Sequence, residues 1–224
     1  MADRCVEHAK RQPDVYQQAY AQAYLSMLGI MLIDPERVER WALAAKSIAE
    51  RHGFAPLEGL SRYTLAWAMA ERGHPESFDM VVSGIGILAA LGTGIGAPGC
   101  MAVVAEMYAK DGQFGEAAGY VAFGEAMADG TGQHFYTVEL HRSAALAHLG
   151  LADAADDDEV RATELHAAEQ RASAAIDLAR AQSAASLELR AIQPMIELLC
   201  RRGDTEAARS LLADAVAKFP AESS

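Results

Sequence analysis

Cysteine is scarce in this sequence, with only Cys5, Cys100 and Cys200 among 224 residues. The three are scattered, odd in number and without the spacing of a metal site, which predicts a reduced, cytoplasmic compartment. The N-terminus lacks the apolar core of a signal peptide, and no window approaches 18 uninterrupted apolar residues. From these absences we expect neither a secreted nor a membrane-spanning protein.

Positive charge is also in short supply, because 31 Asp and Glu residues outweigh 19 Lys and Arg residues and leave a formal net charge of −12. No Lys/Arg stripe offsets the excess, so neither nucleic acid nor an anionic membrane surface is an expected partner. Aromatic residues make up only 7% of the chain, and runs of alternating β-branched residues are absent. Alanine is the commonest residue, which predicts an all-α chain with closely packed helices.

The stretch of residues 101–124 shows how these helices are arranged. It reads as two short helices separated by Gly112, which ends the first helix because glycine takes a positive φ without steric cost. Small and apolar residues form facing stripes on the two helices: Val104, Ala105 and Tyr108 on the first, and Phe114, Ala117, Val121 and Gly124 on the second. The pattern is typical of a tetratricopeptide (TPR) helical hairpin.

Similar pairs follow one another along the chain. The turn glycines Gly73, Gly112 and Gly150 are 39 and 38 residues apart, slightly more than the TPR period of about 34 residues. The expected pairs cover about residues 14–53, 56–91, 98–128, 133–182 and 183–218. We therefore predict a right-handed α-solenoid of about five TPR-like antiparallel helix pairs over residues 14–220, between a polar tail at 1–13 and a short tail at 221–224.

Two features interrupt the pattern. An acidic insertion at residues 153–159 is predicted to be either a solvated loop or an extension of a helix. Pro194 lies inside the first helix of the last pair, where proline removes a backbone donor. Either the helix is kinked there, or it begins at Gln193.

Two groups of residues invite a catalytic or ligand-binding interpretation. The glycine-rich run at 92–99 lacks the lysine of a phosphate-binding loop and follows a predicted helix instead of a strand, so we expect a connection between repeats. His134, Glu139 and His141 share one helical stretch, but Glu139 and His141 are two residues apart and point in different directions. We expect hydrogen bonds between adjacent repeats there, including Glu139 and Arg142, and no metal, cofactor or catalytic residue.

Three segments carry a resemblance to a known family. They are Arg51–Phe54 followed by Ala66–Ala68, Thr131–Tyr136 leading into Glu139–Arg142, and Ser186–Ala191. In their order and separation the chain resembles the TPR-like C-terminal region of bacterial multidomain signalling proteins, which join a class III adenylate cyclase or a LuxR-type DNA-binding domain to a predicted ATPase. The cyclase, ATPase and helix-turn-helix domains have no counterpart here. The resemblance therefore implies a regulatory scaffold or sensor without enzyme activity.

The inner surface of such an array is the expected binding face, because concave surfaces of repeat proteins are lined by the first helix of each hairpin. Projecting the TPR pattern from the turn glycines places eight residues there: Tyr20, Met27, Tyr63, Trp67, Glu106, Arg190, Gln193 and Glu197. Aromatic rings beside charged groups suit capture of a peptide or a small ligand. The alternative for Tyr63 and Trp67 is that they only pack between helices.

We thus expect a non-catalytic interaction protein that binds a protein or peptide in its concave groove. The alternative is a small-molecule-sensing module that controls a separate cyclase, ATPase or transcription regulator. An open array also leaves apolar surface at its end hairpins. The first helix, rich in Tyr and Met, is therefore a candidate interface for a homodimer.

Overall fold

The computed structural model of the chain describes residues 14–92, 94 and 96–219, together with residues 4, 7, 8 and 11. These residues form ten α-helices and no β-strand, which confirms the prediction of an all-α chain. The predicted tail at 221–224, most of the tail at 1–13, and Thr93 and Ile95 of the glycine-rich run lie outside the described residues. The chain divides into two compact units, Met1–Ile95 and Gly96–Ser224, which are described in turn.

The described residues of the first unit include four helices in which each packs on the next and the first also packs on the third. They are α1 (Val15–Met31), α2 (Pro35–His52), α3 (Ala55–Ala70) and α4 (Ser77–Ala90). The start of α2 follows the sequence signal, because the Asp34 side chain accepts a hydrogen bond from the backbone N–H of Arg37 and Pro35 occupies the first position. Gly53, with φ +71°, ends the helix.

Helices α3 and α4 approach each other so closely that two glycines are required at their contact. A β-carbon at Gly84 would lie 2.8 Å from both the carbonyl oxygen of Gly59 and the backbone nitrogen of Tyr63. Both obstacles are backbone atoms, which cannot rotate out of the way. The position therefore excludes every residue with a side chain unless the two helices separate.

Substitution of this contact glycine is expected to destabilise the protein. Gly84→Ala should lower the free energy of unfolding by about 1–3 kcal/mol, because the added methyl group overpacks the contact between α3 and α4. Gly86→Ala is the matched control, since it lies in the same helix and a β-carbon added there would have nothing within 4 Å. The control should be neutral or stabilising by up to about 1 kcal/mol. Urea unfolding followed by circular dichroism measures both, and equal effects would contradict the close contact at Gly84.

The second unit contains six helices: α5 (Ala97–Lys110), α6 (Phe114–Thr131), α7 (Thr137–Ala154), α8 (Asp158–Ala181), α9 (Ala185–Arg201) and α10 (Thr205–Val216). Each helix packs on the next, and in addition α5 packs on α7 and α7 packs on α9. Gly112, with φ +79°, separates α5 from α6, which pack on each other. A β-carbon at Gly124 would lie 2.6 Å from Cδ2 of Leu140, so this glycine allows α6 to pack closely on α7.

Gly150 is not the turn glycine that the sequence pattern predicts. It lies inside α7, where a β-carbon would be 2.0 Å from Cε1 of Phe114, so a ring from α6 packs directly on its backbone. The turn comes later, and the Asp157 side chain caps α8 by accepting from the N–H groups of Glu159 and Val160. The acidic insertion is thus mainly helical, with residues 155–157 between the two helices.

Pro194 is accommodated inside a continuous helix. Helix α9 runs from Ala185 to Arg201, so the alternative that it begins at Gln193 is wrong. The proline ring is buried among the packed helices of the second unit. Its packing offsets part of the cost of the backbone hydrogen bond that proline cannot donate.

Three helices, α3, α5 and α7, are buried along much of their length. In α5, all residues from 101 to 107 are buried, and in α7 the same holds for residues 142–145. Because 3.6 residues complete one turn, such runs leave no side of the helix open at that level. Among the described helices, none is long and apolar enough to cross a membrane.

Candidate functional site

Charged side chains from three helices of the second unit meet in a buried network. Arg142 of α7 lies at its centre, with 1% of its surface exposed. Its Nε donates to Oε2 of Glu139 at 2.9 Å, and its Nη2 donates to Oε2 of Glu106 on α5. One guanidinium therefore links two buried carboxylates on neighbouring helices.

Helix α9 completes the network with a second guanidinium. Arg190 binds Glu139 through two hydrogen bonds, from Nε to Oε1 and from Nη2 to Oε2, each 2.9 Å long. Its Nη2 is also 3.5 Å from Oε2 of Glu106. We call the whole group the polar seam, which consists of Glu106, Lys110, Glu139, Arg142, Arg190 and Gln193.

Helical spacing explains why each of the three helices contributes a pair of polar residues. Glu139 and Arg142 are three residues apart on α7, as are Arg190 and Gln193 on α9, so each pair shares one face. On α5 the spacing is four, and Nζ of Lys110 lies 3.1 Å from Oε1 of Glu106. Oε1 of Gln193 accepts from Nη1 of Arg142 at 3.5 Å.

The electrostatics of the polar seam keep its carboxylates ionised. Burial alone would raise the pKa of Glu106, but the charges of Arg142, Lys110 and Arg190 outweigh burial and hold that pKa at about 2. Burial likewise opposes ionisation of Glu139, yet Arg142 and Arg190 lower its pKa. Burial disfavours the charged form of Arg142, but the two carboxylates overcome it and raise the pKa of the guanidinium.

Acid should weaken the polar seam in a defined pH window. The pKa of Glu106 is depressed from an ordinary value of 4.5 to about 2, so its contribution to stability is complete above about pH 4.5 and is lost as the pH falls through 2. Glu106→Gln should therefore be less stable than the wild type at neutral pH, by up to roughly 3 kcal/mol. Urea unfolding at a series of pH values should show this difference shrinking below pH 4.5. A difference that stays constant down to pH 2 would contradict the ionised state of Glu106.

Removing the central cation should be more damaging than removing an exposed one. Arg142→Met leaves Glu106 and Glu139 buried with less positive charge, so we expect a loss of roughly 3–5 kcal/mol in the free energy of unfolding. Arg37→Met is the matched control, because Arg37 pairs with Asp34 at the same three-residue spacing and is exposed. That change should cost less than about 1 kcal/mol. Thermal and urea unfolding compare the two, and similar losses would show that burial of the seam is unimportant.

An exposed group of charges continues α9 beyond the polar seam. Arg201 binds Oδ1 of Asp153 at 2.5 Å through Nη1 and Oε1 of Glu197 at 2.6 Å through Nη2. Glu197 lies one helical turn after Gln193, so these two polar side chains are neighbours on one face of α9. We call this group on α9, which is Gln193, Glu197 and Arg201 with Asp153, the seam margin, and include in it Lys110 at the α5 end of the polar seam.

The eight residues predicted to line one binding face have different environments. In the second unit, Glu106 lies 3.5 Å from Arg190, Arg142 links Glu106 to Gln193, and Glu197 belongs to the seam margin. In the first unit, Tyr20 is exposed and Met27 is half-buried. The prediction that Tyr63 and Trp67 are exposed is wrong, because each is only 2% exposed. Both residues belong to the enclosed helix α3. Their rings fill space between helices, which was the alternative stated for them above.

For Glu139 and Arg142 the sequence predicted hydrogen bonds between adjacent repeats, but it did not name their partners. A hydrogen bond between Glu139 and Arg142 is confirmed. Their spacing signals this local pair, but nothing in the sequence shows that Arg142 also reaches Glu106, which is 36 residues away. That contact follows from the packing of α5 on α7.

His134, Glu139 and His141 do not form a joint site. His134 is exposed, whereas Nδ1 of His141 lies 3.0 Å from Nη1 of Arg171 and 3.7 Å from Oε1 of Glu125. Burial and the charge of Arg171 lower the pKa of His141, although Glu125 opposes this. Within the part of the chain that the structure describes, no group of three or more His, Cys, Asp or Glu residues could hold a metal ion.

The glycine-rich run leads into α5 through contacts inside the second unit. The N–H of Gly96 donates to Oε1 of Gln133 at 2.8 Å. A β-carbon at Gly99 would lie 2.5 Å from Cδ2 of Tyr136, so the first turn of α5 packs tightly on that ring. These glycines therefore have packing partners that account for their presence.

Comparison with protein-family models, curated proteins and solved structures finds no match to the chain.

Proposed function

We propose that the chain is a non-catalytic, cytoplasmic regulatory module that binds a protein or peptide segment along the seam margin of its second unit. The observation that carries the proposal is the polar seam itself. Buried ion pairs stabilise a fold only weakly compared with apolar packing, because desolvation costs about as much as the pairing gains. A network that spans three helices and ends in exposed polar groups therefore suggests a role in recognition.

The packing order within each unit supports a repeat interpretation. Each helix contacts the next, and odd-numbered helices also contact one another within a unit. Stacked helix pairs of the TPR type make contacts of this kind, since each repeat touches its neighbours. The sequence resemblance to the TPR-like region of bacterial signalling proteins favours the same interpretation, and with it a part in signalling.

The chemistry of the seam margin favours a peptide as the ligand. Lys110 and Arg201 carry N–H donors, Glu197 carries acceptor oxygens, and the amide of Gln193 can donate and accept. A bound peptide would exchange hydrogen bonds with their present partners, such as Glu106 and Asp153. An extended peptide presents alternating N–H and C=O groups, so a surface of mixed donors and acceptors matches its backbone. Tyr63 and Trp67 have no part in this proposal, because they are buried.

The state of the carboxylates supports a role without catalysis. A general acid must hold a proton near the working pH, whereas a pKa of about 2 leaves Glu106 ionised at neutral pH. Glu139 is held in the same state by two guanidinium groups. The seam carboxylates are therefore suited to fixing arginine side chains in place and poorly suited to proton transfer.

Selection from a library of random peptides tests the proposal and reveals which peptide sequences the surface prefers. Peptides selected for binding to the immobilised full chain should have a lower affinity for the Gln193→Ala and Lys110→Ala variants, each by roughly tenfold or more. Fluorescence anisotropy with the selected peptides measures the dissociation constants.

Two matched variants separate a local effect from a general one. Gln170→Ala removes an exposed glutamine on α8, and Lys46→Ala removes a lysine that pairs with Glu50 at four-residue spacing, as Lys110 pairs with Glu106. Both controls should retain wild-type affinity. Equal binding by all four variants, or no enriched peptide at all, would contradict the proposal. A metabolite that raises the melting temperature while no peptide binds would favour the small-molecule sensor instead.

A further inference from the structure

Helix α1 carries an exposed apolar stripe along its whole length. Tyr16, Tyr20, Tyr24 and Leu28 follow one another at four-residue spacing, and each is between 43% and 49% exposed. The opposite side of the helix is buried against α2 and α3, through residues such as Ala19 and Ala23. A continuous row of large apolar side chains on a surface helix is typical of an interaction site.

The rings of the stripe are already ordered in a row. The ring centroids of Tyr20 and Tyr24 are 4.3 Å apart, and those of Tyr16 and Tyr20 are 6.2 Å apart. Tyr16 also meets Phe54 edge-on, with a centroid separation of 5.1 Å. Because neighbouring rings already restrict these side chains, an incoming surface has little conformational freedom to remove, which favours association.

The absence of charged residues from α1 indicates which partner the stripe suits. The helix spans 17 residues without a single Asp, Glu, Lys, Arg or His, in a chain whose formal net charge is −12. Two copies of so acidic a protein repel each other over a long range, and like charges at the contact would add to that repulsion. The uncharged helix adds no repulsion when it meets a second copy of itself, and it offers a basic partner no charge to pair with.

The spacing of the stripe is also self-complementary. In a homodimer with two-fold symmetry the same surface serves both subunits, and antiparallel helices centred on position 22 place position 16 opposite 28 and position 20 opposite 24. Tyrosine then meets tyrosine at the centre, and Tyr16 meets Leu28 at each end. We infer that the chain forms a homodimer through antiparallel contact of the α1 stripes of two copies. The inference does not depend on the function proposed for the polar seam.

A charge-swap experiment tests both the dimer and its arrangement. Sedimentation velocity across a concentration series should show the full wild-type chain dimerising. Tyr20→Lys and Tyr24→Glu should each weaken the dimer at least about tenfold, because each copy would bring the same uncompensated charge to the interface. An equimolar mixture of the two variants should dimerise again, because the new lysine of one copy lies opposite the new glutamate of the other.

Control variants distinguish a weakened dimer from a chain that has failed to fold. Phe123 is 56% exposed on α6 of the second unit, so Phe123→Lys and Phe123→Glu introduce the same charges at another exposed aromatic position and should leave the dimer intact. Recovery in the mixture also requires folded variants, since unfolded chains could not restore association. A wild-type chain that stays monomeric at every concentration would overturn the inference. So would single variants that dimerise normally, or a mixture that remains monomeric.

Discussion

The second unit depends on the placement of Arg142, a guanidinium removed almost completely from water. Transfer of such a charge into the interior costs several kcal/mol and is tolerated only when carboxylates and further hydrogen bonds surround it. Glu106 and Glu139 provide the carboxylates, and Arg190 provides a second cation for Glu139. Because hydrogen bonds hold only over short distances, α5, α7 and α9 have little freedom to slide past one another.

Small residues impose a corresponding constraint in the rest of the chain. Gly84 in the first unit and Gly150 in the second both stand where a methyl group would collide with a neighbour. In the first case the neighbour is the backbone of α3, and in the second it is the ring of Phe114. Alanine and glycine therefore set the distances between helices, and aromatic rings fill the gaps that remain. The consequence is that α3, α5 and α7 are enclosed along much of their length.

Much of the local structure could be predicted from the sequence, because its signals are local. Asp34 with Pro35 marks the start of α2, and Gly112 with its positive φ marks the end of α5. The prediction failed where glycine has two roles, since periodicity cannot distinguish Gly150 inside a helix from a glycine in a turn. It also failed for the exposure of Trp67, because the burial of a helical face depends on which other helices pack there. Whether the helix pairs form a right-handed solenoid remains a prediction.

The separation of the seam residues along the chain has a consequence for how the second unit folds. Contacts between successive helices join residues that are close in sequence, and such topologies fold rapidly. Glu139 and Arg190, by contrast, are 51 residues apart, so their hydrogen bonds form only after α7 and α9 have been brought together. Because an unpaired buried ion is costly, removal of Glu139 and Arg190 from water is coupled to the docking of α9 on α7.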